Sequence, residues 1–107
     1  MFYYYENQKY EAALTLYRIA LAACRETYGD KHPQTALAAE HLGNVFYKMA
    51  DYSNADKMYG ESLSIRKEIL GEDHPDVIRL YTLLGDVCLA VNKADNAAEY
   101  YQKALEL

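Results

Sequence analysis

The 107-residue sequence predicts an all-α fold of antiparallel helix pairs, joined by short turns and stacked side by side. Three observations carry this prediction. The first is a hinge phrase written twice: Tyr28-Gly29-Asp30-Lys31-His32-Pro33 and, 42 residues on, Leu70-Gly71-Glu72-Asp73-His74-Pro75. Glycine suits the left-handed turn just past a helix end because it lacks a Cβ. Proline suits the first position of the next helix, where its missing N–H costs nothing. The second is that agreement at this shift extends past the hinge. Ala13, Ala55 and Ala97 align, as do Tyr17, Tyr59 and Tyr101, and Leu42-Gly43 falls on Leu84-Gly85. Small and aromatic positions agree while polar ones drift, as expected when only the interior is fixed. The third is periodicity: apolar residues recur at steps of three and four, and no segment alternates with period two, so no strand is expected.

The elements follow in order. Residues Met1 to about Glu6 align with the second half of the helix that later holds Gly43 to Lys48, and Asn7-Gln8-Lys9 reads as a polar turn. From Tyr10 to Tyr28 the stripe Ala13, Tyr17, Ala20, Leu21 and Cys24 predicts a helix that Gly29 stops. Pro33 starts a helix to about Ala50, striped by Ala36, Ala39, Leu42, Gly43 and Phe46. Gly43 mid-helix costs about 1 kcal/mol relative to Ala, which makes sense if another helix crosses there. Asp51-Tyr52-Ser53-Asn54 reads as the next turn, followed by a helix from about Ser53 to Leu70. After the second hinge, helices are expected over about Asp76 to Val91 and, past Asn92-Lys93, over Asp95 to Leu107.

Composition narrows the function classes. A net charge of −5 opposes binding to nucleic acid, which needs a basic face. No stretch approaches the roughly 18 apolar residues of a membrane span, and the N-terminus lacks the basic lead of a signal peptide. Cys24 and Cys88 fall at different repeat positions with no CxxC spacing, so both read as buried thiols of a reducing, cytoplasmic compartment. No Ser/His/Asp arrangement, glycine-rich phosphate loop or dinucleotide fingerprint occurs, so no catalytic site and no cofactor is expected. His32 and His74 each lie beside a carboxylate, but one repeat apart they stand on the order of 10 Å from each other. That is too far to share a zinc at about 2 Å per ligand, so both are expected to cap a helix and pack on the preceding one.

These residues resemble a known family. Ala39-x2-Leu42-Gly43-x2-Phe46 with Ala55-x3-Tyr59, and Tyr81-x2-Leu84-Gly85-x2-Cys88 with Ala97-x3-Tyr101, are similar to the tetratricopeptide repeat (TPR). Gln8-Lys9-Tyr10-Glu11-Ala12-Ala13 resembles the turn inside one repeat. The period of 42 exceeds the usual 34. With its Leu70-Gly71-Glu72-Asp73-His74-Pro75 hinge it looks like the repeats of kinesin light chains and proteins built like them. The resemblance implies a right-handed superhelical solenoid of about 2.5 repeats: a partial repeat over 1–29, a full one over 30–71 and a nearly complete one over 72–107, as a fragment of a longer array. It also implies a non-enzymatic scaffold that holds a peptide segment of another protein in its concave groove.

Carrying the family's groove positions over places Glu40, His41, Asn44, Tyr47 and Lys48 there, then Arg79, Thr82, Leu83, Asp86 and Leu89, and Phe2, Tyr5 and Glu6 from the partial repeat. Asn44 stands where many members hold a peptide backbone, since an amide both donates and accepts. Glu40 and Leu83 occupy positions that carry basic residues in members clamping a C-terminal carboxylate, so such a clamp is not expected. The Phe2, Tyr3 and Tyr4 cluster would be partly bare, and an uncovered repeat face invites self-association. The alternative to groove binding is therefore a structural spacer, or a homodimer formed through exposed repeat ends.

Overall fold

The computed structural model describes the backbone of residues 2–106 and the side chains of residues 9–106. Five helices follow one another: α1 (Phe2–Tyr28), α2 (Pro33–Lys48), α3 (Tyr52–Leu70), α4 (Pro75–Ala90) and α5 (Ala94–Glu106). No strand occurs among the described residues. Each helix packs on the next, α1 on α2 through to α4 on α5. The short connections make neighbours antiparallel. The Cα envelope measures 42 × 37 × 18 Å, and the shortest dimension is what two helix layers at 8–10 Å spacing require.

Both hinges are built as the repeated phrase dictates. Gly29 and Gly71 take φ of 91° and 88°, the left-handed region a Cβ disfavours. Pro33 and Pro75 open α2 and α4. His32 and His74 are the N-caps: each Nδ1 accepts from the backbone N–H two residues on, Gln34 and Asp76, at 3.1 Å. His32 also stacks on Tyr28 at the end of α1, with centroids 4.3 Å apart. One hinge is tied further by the Thr35 hydroxyl, which donates to the Gly29 carbonyl at 2.8 Å, and the other by Tyr81, which donates to Glu72 at 3.0 Å.

Three expectations need correction. The polar turn at Asn7-Gln8-Lys9 does not form, and α1 passes straight through it. At the two turns that do form, the residues aligned with Gln8 are Ala50 and Asn92, held at φ of 62° and 63°. That conformation costs a non-glycine residue about 1–2 kcal/mol. There it is offset by packing of the helices on either side. The turn expected at Asp51–Asn54 starts two residues early, at Met49. Asp51 caps α3 instead, accepting from Asn54 N–H at 3.4 Å. Of the two thiols, Cys88 is buried but Cys24 only half-buried, and both are free.

The core runs along the helix seams through Leu14, Leu21, Ala39, Leu42, Phe46, Ala55, Tyr59, Leu80 and Leu84. The mid-helix glycines are explained by what crosses them. A Cβ on Gly43 would stand 2.6 Å from Cδ1 of Tyr59, and one on Gly85 would stand 2.6 Å from Cε1 of Tyr101. Each glycine makes room for the tyrosine of the following helix. Tyr59, 1 % exposed, is thereby locked between α2 and α3. Ser62 completes that interface by donating to the Ala36 carbonyl at 2.8 Å.

Candidate functional site

The face shared by α2 and α4 carries most of the expected groove residues. A stripe at steps of four, three and four along α2 brings Leu37, His41, Asn44 and Lys48 to one side. On α4 steps of three, four and three bring Arg79, Thr82, Asp86 and Leu89 to one side. None of these eight is fully buried, and Leu89 is half-exposed.

Asn44 is held from behind. The hydroxyl of Tyr59 passes over Gly43 and donates to Asn44 Oδ1 at 2.5 Å. The same device recurs one repeat on, where Tyr101 donates to Asp86 Oδ1 at 2.5 Å. Burial, then the negative charge of Glu40, raises the Tyr59 phenol far above its ordinary value. The hydrogen bond to Asp86, reinforced by burial, pushes Tyr101 up to about 12. Both phenols are therefore permanent donors near neutral pH. With its oxygen engaged, the Asn44 amide has its N–H2 left to donate, and no described residue accepts from it.

Glu40 does not line the groove as expected. It is 7 % exposed and sits at the centre of a charge network joining three helices. Arg66 of α3 donates to Oε1, and Arg79 of α4 donates to both oxygens, at 3.0 and 3.3 Å. Arg79 also pairs with Asp76 at 3.0 Å. Burial alone would raise the Glu40 carboxyl, but the hydrogen bonds and charges of Arg79 and Arg66 outweigh it and hold the group below its ordinary value. A bare buried carboxylate is costly, and the Arg79 fork with one N–H of Arg66 satisfies this one. Arg79, with all three guanidinium nitrogens engaged, walls a cleft of about 400 Å³ with Leu37, Gln34 and Ile69.

The remaining residues divide between this face and its supports. His41 stacks on Tyr17 of α1, centroids 5.1 Å apart, so it borders α1 rather than α4. Tyr47 meets Tyr52 edge-on at 5.4 Å and, like Leu83, packs half-buried against the core. Lys48 and Thr82 are exposed, the Thr82 hydroxyl donating back to the Ile78 carbonyl at 3.3 Å. The side chains of Phe2, Tyr3, Tyr4, Tyr5 and Glu6 lie outside the described residues. Leu37 and Ile69 were not anticipated; the four-residue step from Leu37 to His41 was the available signal for the first.

No group of three His, Cys, Asp or Glu side chains that could hold a metal is present among the described residues. Among the described residues no helix is long and apolar enough to cross a membrane.

Comparison with known proteins agrees with this architecture. The sequence pattern of the tetratricopeptide repeat matches residues 2–68 and, a second time, residues 37–107. Among solved structures, the crystal structure of BtubC (BKLC) from P. vanneervenii is similar, with a TM-score of 0.86 at 25 % sequence identity over 96 % of this chain. The chain spans 41 % of the length of that structure. No curated protein matches the sequence.

Proposed function

The chain belongs to the tetratricopeptide repeat family, whose members generally mediate protein–protein interactions, and from that premise we propose that it is a non-enzymatic scaffold binding an extended peptide segment of a partner along the α2/α4 face. The observation that carries this reading is the Asn44 amide. Its oxygen is fixed by Tyr59, and its N–H2, which no described residue engages, is placed to donate to a peptide carbonyl. A donor held in place before binding loses little entropy on complex formation.

The surroundings favour a peptide of mixed character. Leu37 and Leu89 offer apolar surface, Tyr47 an aromatic edge and Lys48 a cation. No pair of free cations flanks Asn44, because Arg79 is largely neutralised by Glu40 and Asp76. This supports recognition of an internal segment over a C-terminal carboxylate.

The test is a selection of random 12-residue peptides displayed on phage against the immobilised chain, with the Asn44→Ala/Tyr47→Ala variant as counter-screen. Recovery of sequences that bind the wild type and not the variant is expected. Sequences that bind both equally well would remove the groove reading.

A further inference from the structure

The repeat that aligns so well at its glycines and tyrosines breaks at one seam. Between α1 and α2 the Phe46 ring is covered by Arg18, whose guanidinium carbon stands 5.7 Å from the ring centroid. Forty-two residues on, the equivalent positions hold Gly60 and Cys88. The cation and the ring have both been lost from the seam of α3 and α4. A Cβ on Gly60 meets nothing within 4 Å.

Where the ring is lost, Cys88 lines an open cleft. The first seam has a cleft of about 240 Å³ bounded by Phe46, Asn54, Lys57 and Met58. At the second seam a cleft of about 550 Å³ shares the equivalents Cys88, Asn96, Glu99 and Tyr100 but extends from them toward Tyr52, Asp56 and Val91 rather than toward Gly60. Its charge has also changed. Lys57 becomes Glu99, and the buried Leu14 becomes the exposed Asp56, which also lines the cleft. Lys93 is the one cation in the lining, leaving one net negative charge. Asp56 and Glu99 have no ion-pair or hydrogen-bond partner among the described residues. Two positions apart on α4, Cys88 and Asp86 point about 160° from each other, so this cleft opens on the side opposite the Asn44 face.

We propose that the cleft between α3, α4 and α5 is a second docking site, which takes an aromatic side chain of a partner polypeptide with an adjacent lysine or arginine. The ring would occupy the space that Phe46 fills in the first seam. The cation would sit against Asp56 and Glu99, where Arg18 and Lys57 serve the first seam from within the chain. The polar floor supports a single anchored residue rather than a long apolar helix, since Ser53 and Asn96 interrupt the lining. This site is independent of the groove proposed above.

Titration of isotope-labelled protein with acetyl-Gly-Phe-Arg-Gly-amide, followed by NMR, tests it. Saturable shifts of the Cys88 and Tyr100 resonances are expected, with acetyl-Gly-Phe-Glu-Gly-amide and acetyl-Gly-Ala-Arg-Gly-amide binding at least fivefold more weakly. Gly60→Arg with Cys88→Phe rebuilds the pair within the chain and should abolish saturation. Asp56→Asn with Glu99→Gln, two exposed changes that leave the core intact, should cut the preference of Phe-Arg over Phe-Glu to below twofold. Asn44→Ala alone, which touches no residue of the cleft lining, should change nothing here. Equal binding of the Phe-Arg and Phe-Glu peptides, retained binding in the refilled variant, or no saturable shift at this seam would overturn the proposal.

Discussion

Tyr59 rests against Gly43 so closely that a Cβ there would stand 2.6 Å from its ring, and its hydroxyl continues to Asn44 at 2.5 Å. A packing contact and a site residue are thus one construction. The glycine admits the ring, the ring carries the hydroxyl, and the hydroxyl sets the amide. Tyr101, Gly85 and Asp86 repeat it 42 residues later.

Gly43→Ala should destabilise the chain although alanine is the better helix former. The ring it meets is buried and cannot swing away, so overpacking of about 1–3 kcal/mol outweighs a propensity gain of about 1 kcal/mol. A fall in Tm of about 4–8 °C per kcal/mol lost is expected by calorimetry. Gly60→Ala is the control: nothing lies within 4 Å of its new methyl, so a rise of a few degrees is expected.

Tyr59→Phe keeps the ring and removes the hydroxyl. The lost hydrogen bond should cost about 1 kcal/mol in denaturant unfolding. The freed amide should also weaken binding of any peptide selected on the wild-type groove, while peptide affinity should survive Ser62→Ala, which touches only the α2/α3 interface.

Glu40→Ala leaves the buried Arg66 without its carboxylate, and a loss of about 3–5 kcal/mol is expected. The sign of the pH effect follows from the lowered carboxyl. A group whose folded value lies below its ordinary 4.5 stabilises the fold above that value, and the contribution is lost as pH falls through the folded one. Thermal unfolding measured from pH 6 downward should therefore show a steeper acid loss in the wild type than in Glu40→Gln.

His74→Ala removes the acceptor that caps α4 and should cost about 1 kcal/mol. His74→Asn, which offers an oxygen to the same N–H, should recover most of it by the same thermal measurement.

The hinges were legible in the sequence because their causes are local: a positive φ that favours glycine and a first helical position that accepts proline. Gly43 was legible because a glycine mid-helix has a cost that demands a neighbour. Glu40 was not. As a carboxylate in mid-helix it reads as surface, and its partners Arg66 and Arg79 arrive 26 and 39 residues later on two other helices. The Tyr59 hydrogen bond to Asn44 was hidden for the same reason, since the repeat marks the ring as core and says nothing of where its hydroxyl ends. The missing turn at Asn7–Lys9 failed differently. Those residues tolerate helix and turn alike, and packing on the neighbouring helices decides between them.

The side-chain amide of Asn44 gives the most direct reading of the central claim. Titrating the labelled chain with a peptide selected on the wild type should shift the Asn44 N–H2 resonances saturably, at the same midpoint as the Tyr47 ring. Saturable binding that leaves the Asn44 amide unmoved would contradict the account.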